Sequence, residues 1–347
     1  MKNEFAIRFW RYALILTLLF AGLVTARLPV RAQTARASNE RQVTYSTLKI
    51  DNLEIFYREA GNPTKPTILL LHGFPTSSHM FRDLIPLLAD KFHVVAPDYP
   101  GFGYSSAPSA KEFDYTFDNL ANIVEKFTIA KGLKKYSLYV QDYGGPVGFR
   151  LAVKNPAKVQ ALIVQNSNAY EEGLTEAAAP LRLYGETRDP KIAEALRGLL
   201  KPEGTKFQYT QGAKDLSRIS PDAWTHPQSL LDRAGNTDIQ LALFADYLSN
   251  VKSYPVWQEY LRKRQPPTLV VWGKNDPFFN VKNIDGFRRD VKTVEIHLLD
   301  GGHFALEEYA DEIAAHIKKF FAKQKISVTN SLKRKRESHK QDVAQIL

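Results

Sequence analysis

Six short apolar runs recur along the chain, TILLLHG, HVVAPDYPG, YSLYVQD, VQALIVQNS, PTLVVWG and VEIHLLD. Most are apolar without alternation, as strands buried on both faces must be. Segments with helical spacing fall among them at Met80 to Leu88, Phe117 to Ala130, Gly145 to Val153, Asn283 to Asp290 and Phe304 to Phe321. Alternation of this kind specifies an α/β fold, a mostly parallel central sheet with helices on both faces. Ahead of it, VTYSTLKI and LEIFYREA flank Asp51-Asn52 and read as an opening hairpin. Residues 41–166 and 266–322 therefore form the sheet domain.

The interval 167–265 breaks the alternation. It carries no strong strand and several aromatic-rich helical patterns, with Tyr184, Phe207, Tyr209, Trp224, Phe244, Tyr247, Tyr254, Trp257 and Tyr260. Structureless loops beyond roughly 15 residues are uncommon, so the interval reads as a helical lid inserted into the sheet domain.

Both ends of the chain differ from its body. Of a net charge of +10, residues 1–40 contribute +4 and residues 323–347 contribute +5, leaving +1 for the remainder. A basic nucleic-acid face on the folded body is thereby excluded, and no nucleic acid is expected as a partner. Lys2, Arg8 and Arg11 precede the thirteen-residue apolar run Tyr12 to Val24, and small residues follow. That is the layout of an export signal over residues 1–32, with cleavage after Ala26 or Ala32. The alternative is an uncleaved membrane anchor over residues 12–24, although the run is shorter than the roughly 20 residues of a spanning helix. Residues 323–347 read as a disordered basic tail, in which Lys333-Arg334-Lys335-Arg336 is a solvated charge run. Cysteine is absent, so thiol nucleophiles and thiolate metal sites are excluded, and neither metal nor cofactor is expected.

Open parallel sheets bind ligands beyond the carboxyl ends of their strands. Three residues able to do chemistry follow such ends: Asp142 in VQDYGG, Asp276 in WGKNDPFF and His303 in DGGHFALEE. Alone, Asp142 fits an ordinary turn, where Asp and Gly are common. Asp300 and Glu171 are alternatives to Asp276 as the acid. His72 and Asp98 read as structural residues that hold turns at strand ends.

The chain resembles the α/β-hydrolase fold enzymes, and among them the branch of epoxide hydrolases and haloalkane dehalogenases that uses an aspartate nucleophile. LLLHGFPTSSHMFRDLIPLL is similar to the HGxP oxyanion segment of that family, and VVAPDYPGFGYSSAP to its D-x-x-G-x-G-x-S turn. VQDYGGPVG, VVWGKNDPFF and GGHFALEE are similar to its nucleophile elbow, acid loop and histidine loop. Val140 departs from the pattern, since the family commonly has glycine there. The resemblance implies that Asp142 attacks carbon to form an alkyl-enzyme ester, and that His303, oriented by Asp276, activates the water that hydrolyses it. The backbone N–H groups of Phe74 and Tyr143 would stabilise the oxyanion.

Two leaving groups fit such chemistry. Dehalogenases of this branch hold a halide with a tryptophan beside the nucleophile and a tryptophan or asparagine in the HGxP segment, where this chain has Tyr143 and Phe74. Epoxide hydrolases protonate the epoxide oxygen with two lid tyrosines, for which Tyr247 and Tyr184 are the candidates. The reading is an epoxide hydrolase acting on a small apolar substrate with water. Haloalkane or haloacetate dehalogenation, ester or lactone hydrolysis, and a hydrolase-fold protein that binds a small ligand without turnover are the alternatives.

Overall fold

The computed structural model of the protein describes residues 41–326. The export signal expected over residues 1–32 lies outside the described residues, as does most of the tail expected to be disordered over 323–347; its first two residues, Lys323 and Gln324, instead end a helix. Eight strands form a single sheet: β1 (Thr44–Ile50), β2 (Leu53–Ala60), β3 (Thr67–Leu71), β4 (His93–Pro97), β5 (Tyr136–Gln141), β6 (Val159–Gln165), β7 (Thr268–Gly273) and β8 (Val294–Leu299). Their spatial order is β1-β2-β4-β3-β5-β6-β7-β8. The hairpin β1-β2 and the β2-β4 pair are antiparallel; every later pair is parallel.

Burial explains the composition of the strands. β3, β4, β5 and β7 are buried along their whole length, whereas β1 at one edge is mostly exposed. Successive residues of the inner strands face opposite layers. Leu69, Leu71, Val140, Val164 and Val270 enter one apolar layer, while Ile68, Leu70, Tyr139, Ile163 and Val271 enter the other. Helices α1 (Leu84–Leu88) and α10 (Leu306–Gln324) cover the second layer, and α2 (Phe117–Ala130), α3 (Gly144–Lys154) and α9 (Asn283–Asp290) cover the first.

Most element boundaries fall within two residues of the sequence reading, and the exception has an identifiable cause. Met80 to Leu88 does not form one helix; it splits into a 3-10 turn, Ser78–Phe81, and the short α1. Pro86 lacks an N–H and its ring crowds the carbonyl four residues earlier, so a continuous helix through Arg82 is blocked.

Between β6 and β7 the chain forms α4 (Ala179–Thr187), α5 (Pro190–Arg197), α6 (Pro202–Thr210), α7 (Asp222–Leu231) and the 29-residue α8 (Asn236–Arg264). No strand occurs there, only an isolated bridge between Leu174 and Phe279. Polar contacts fasten this insertion to the sheet domain at several points. Asp246 on α8 accepts the amide of Phe117 (2.8 Å), the first residue of α2 and an N–H that its own helix leaves unpaired. Arg150 on α3 donates to Asn250 (2.7 Å) and Ser249 (3.1 Å). Glu308 on α10 accepts the amides of Lys214 (2.9 Å) and Asp215 (2.8 Å). No helix among the described residues is long and apolar enough to cross a membrane.

The passage from β5 into α3 is tight. A Cβ on Gly144 would stand 2.0 Å from the carbonyl oxygen of Leu71 on β3, so α3 can begin there only with glycine. Replacing Gly144 with alanine is expected to cost about 3 kcal/mol through this clash, read as a lower midpoint in urea denaturation with an unchanged slope.

Candidate active site

Parallel strands place their carboxyl ends on one edge of the sheet, and the loops after β5, β7 and β8 converge there. Asp142 occupies the turn between β5 and α3 with φ of +48°, a left-handed conformation that an L-residue adopts at a cost of about 1 kcal/mol. Three bonds hold its backbone there. Its amide donates to the carbonyl of Asn166 (3.2 Å), and its own carbonyl accepts from Gly145 N (2.9 Å) and Ser167 Oγ (2.9 Å). Opposite lies Gly73, where a Cβ would approach the Cβ of Asp142 to 2.3 Å. That contact explains the glycine of the HGFP segment.

The two carboxylate oxygens of Asp142 have different surroundings. Oδ1 accepts the amide of Phe74 (2.7 Å), and the amide of Tyr143 also hydrogen-bonds the carboxylate. Oδ2 is 3.8 Å from Nε2 of His303. Burial pushes this carboxyl above the usual range, while His303 and the two amides pull it back.

His303 is 2% exposed, and its Nδ1 is 2.8 Å from Oδ2 of Asp276. Asp276 is saturated with donors: Oδ2 also accepts from Asn166 Nδ2 (2.8 Å), and Oδ1 accepts the amides of Phe278 (2.8 Å) and Phe279 (3.1 Å). With its other lone pairs taken by these donors, Asp276 turns the ring so that Nδ1 faces it and Nε2 faces Asp142. Burial disfavours a charged imidazole at His303, but Asp276 first and Asp142 second outweigh it, raising its pKa above the ordinary 6.5.

The other acids weighed from the sequence lie elsewhere. Asp300 pairs with Lys214 and Lys274 and accepts from Asn275, which together hold its carboxyl down at about 2. Glu171 is solvent-facing and reaches Arg182 at 3.9 Å. His72 and Asp98 brace neighbouring turns. Burial holds the His72 imidazole down at about 3, so the neutral ring accepts the amide of Tyr99 (3.3 Å) and donates to Gly73 O (3.0 Å). Asp98 accepts the amides of Ser78 (2.7 Å) and Tyr104 (2.9 Å).

Above Asp142 and His303 lies a cavity of about 330 Å³ bounded by the sheet domain below and the helical insertion above. Phe74, Tyr143, Leu181, Leu199, Phe244 and Phe278 supply much of its wall. Tyr247 lines it, with its ring centroid 6.4 Å from that of Tyr143. Tyr184 does not line it: this half-buried residue on α4 packs against the apolar layer and under the guanidinium of Arg188. The resemblance to lid tyrosines makes Tyr184 a candidate, but its place here is that of a packing aromatic.

Three polar groups escaped notice in the sequence. The phenolic oxygen of Tyr143 is buried without a hydrogen-bond partner. Asn166 at the end of β6 braces both Asp276 and Gly273, donating to the carbonyl of the latter (3.1 Å) and accepting its amide (2.9 Å). Gln141, the last residue of β5, places Nε2 3.1 Å from Nε2 of His303. Asn166 and Gln141 both stand at the carboxyl ends of parallel strands, where polar residues after an apolar run warrant notice.

Comparison with known proteins accords with this geometry. The model of the alpha/beta hydrolase fold family matches residues 66–310. The chain belongs to the α/β-hydrolase fold family. Within it, an uncharacterized hydrolase of Saccharomyces cerevisiae is 44% identical over 276 residues, spanning 78% of this chain and 94% of the relative. A protein named haloalkane dehalogenase 2 from Mycobacterium tuberculosis is 30% identical over 279 residues, spanning 76% and 90%. Among solved structures, the epoxide hydrolase CorEH superposes with a TM-score of 0.68 at 20% identity, covering 82% of this chain and all of that one, a likeness of fold. This α/β hydrolase is accordingly an enzyme.

In the free α/β hydrolase, NMR titration of the histidines is expected to show His303 protonating at a pH above 6.5, because both carboxylates favour its charged form. Asp142→Asn removes one of them and should lower that midpoint. A His303 midpoint below 6.5 in the parent protein would contradict this electrostatic account.

Proposed function

We propose that the protein is an epoxide hydrolase that works through an ester on Asp142, on a small, uncharged, largely apolar substrate. The observation that carries this reading is the partnerless hydroxyl of Tyr143. Leaving a buried O–H unpaired costs roughly 1–3 kcal/mol, and this one belongs to a residue lining the cavity beside Asp142. That oxygen is closed off in the free protein, and an epoxide oxygen set down beside Asp142 would satisfy it once the ring swings the hydroxyl into the cavity. Tyr247 is a second donor on the same cavity, although its hydroxyl already shares a hydrogen bond with that of Tyr254.

In the proposed reaction Oδ2 of Asp142 attacks an epoxide carbon, the C–O bond breaks, and the released oxygen takes the phenolic proton of Tyr143. Oδ1 becomes the ester carbonyl, already facing the amides of Phe74 and Tyr143. Water then gives a proton to Nε2 of His303 as its oxygen bonds to the ester carbon. The two amides hold the resulting oxyanion, and losing one such donor typically costs about 3 kcal/mol. On collapse the diol departs with the proton from His303. The second proton of the water, freed as the carboxylate re-forms, replaces the one given up by the phenol.

Charge narrows the substrate. No Lys or Arg is among the residues lining the cavity, so a substrate carboxylate would be buried near Asp142 without a counter-ion, which disfavours a haloacetate. A volume of about 330 Å³ is at the small end for ligand pockets. The insertion acts as a lid that excludes water during alkylation, and the apolar segment within residues 1–32 directs the enzyme to export. Haloalkane dehalogenation is the second reading, favoured by the name of the Mycobacterium relative. The same ester would then form with halide as leaving group.

The test is His303→Gln incubated with a panel of epoxides and haloalkanes, followed by peptide mass spectrometry. An adduct on Asp142 with epoxides is the expected result; an adduct with haloalkanes alone would establish the second reading, and none with any member would overturn both. In single turnover in ¹⁸O-water, label is expected in Asp142 and not in the product. Tyr143→Phe should slow epoxide opening roughly 100-fold, more than Tyr247→Phe, whose hydroxyl is already shared. Equal rates for Tyr143→Phe and the parent would remove Tyr143 from the reaction.

A further inference from the structure

His303 has a neighbour that the proposed reaction leaves unused. Its Nδ1 is committed to Asp276, so Nε2 is the nitrogen that exchanges protons. Among the described residues, the side chain in hydrogen-bond contact with Nε2 is Gln141, at 3.1 Å, nearer than the 3.8 Å of Asp142 Oδ2. Gln141 is fully buried, at 0% exposure. One end of its carboxamide is on His303, and the other end, Oε1, is buried with no partner.

A carboxamide presents a donor and an acceptor of nearly the same shape on opposite sides of one carbon. The two states of the His303 ring need those two faces in turn. A neutral ring with its proton on Nδ1 has a lone pair at Nε2, which accepts from the NH2 of Gln141. An imidazolium has N–H at Nε2, which needs an acceptor, and Oε1 is one that forfeits no bond by turning. Space for Oε1 exists because residue 73 is glycine: a Cβ there would stand 2.6 Å from it.

We propose that Gln141 is a positioning residue for His303, holding Nε2 through NH2 when the ring is neutral and, after a half-turn of the carboxamide, through Oε1 when it is protonated. The role rests on the ester mechanism above for its place in turnover, which is the hydrolytic half. During that half the incoming water displaces NH2 from Nε2, transfers its proton there, and Oε1 then accepts from the imidazolium until the departing alkoxide takes the proton. The bond between NH2 and the lone pair holds the neutral ring in place, and the bond from the imidazolium to Oε1, which is charge-assisted, helps the ring accept the proton of the water. The charged groups facing His303 are Asp276 from the loop after β7 and Asp142 from the β5-α3 turn; the rings of Phe278, Phe279 and Phe304 complete its surroundings.

The test compares the full-length parent with Gln141→Met, which keeps length without donor or acceptor, and Gln141→Glu, which adds a third carboxylate. NMR titration of His303 is expected to move downward in Gln141→Met, by up to roughly one unit, because the charge-assisted bond to Oε1 is the stronger of the two bonds lost, and upward in Gln141→Glu, whose added carboxylate favours the imidazolium. Rapid-quench mass spectrometry should show the Asp142 ester forming within twofold of the parent rate in Gln141→Met while its hydrolysis slows about tenfold, part of what a general base contributes. An unmoved His303 titration with parent-like hydrolysis overturns the proposal. So does an equal slowing of both steps, since a purely structural lesion would do that. If Gln141→Met loses its near-ultraviolet circular dichroism, Gln141→Glu decides by the same titration. The titration reads the contact without any substrate, so a failure of the ester mechanism, seen as no adduct in His303→Gln, is distinguishable from a failure of this one.

Discussion

Everything at the catalytic edge depends on one backbone conformation, the left-handed turn at Asp142. A fully buried strand runs into a helix with a single residue of positive φ between them, and the turn is tolerable only because glycine follows at 144 and lies opposite at 73. Because the strain is held by the packing of β3, β5 and α3, the carboxylate stands at a fixed height above the sheet. Ordering it on substrate binding costs little, which is the advantage of placing reactive groups on rigid elements.

From that point outward the site is arranged by polar saturation in some places and its absence in others. Asp276 receives four donors and has no remaining capacity, so it serves as a stationary charge. Asp142 keeps one oxygen bonded to the amide of Phe74 and turns the other toward His303. Tyr143 and Gln141 each keep a buried polar atom with no partner at all. Buried atoms of this kind are costly, and these two lie next to Asp142 and His303, the groups on which the proposed chemistry turns.

Much of this was legible in the sequence because it rests on local rules. Continuous apolar runs gave the inner strands, helical spacing gave α2 and α9 to the residue, and the strand-end rule brought out Asp142, Asp276 and His303. Pro86 could have forecast the break between the 3-10 turn and α1. Tyr184 and Tyr247, by contrast, are equivalent in sequence: both are aromatics on insertion helices, and only packing decides that one meets the cavity while the other covers the apolar layer. The amide of Gln141 was hidden for a different reason, since its partner lies 162 positions further along the chain.

The insertion is held unevenly. Long helix α8 is tied to α2 and α3, and the segment before α7 is tied to Glu308, whereas α4 has no buried residue. Yet Pro180 and Leu181 of α4 belong to the cavity wall. The outer wall is therefore held from one side, by α8, against which α4 lies so closely that a Cβ on Gly185 would stand 3.1 Å from the Cβ of Leu248. The wall that α4 adds to the cavity is thus set by its packing on α8, so that substitutions along these two helices would reshape the cavity while the turn at Asp142 and the histidine beside it stay as they are.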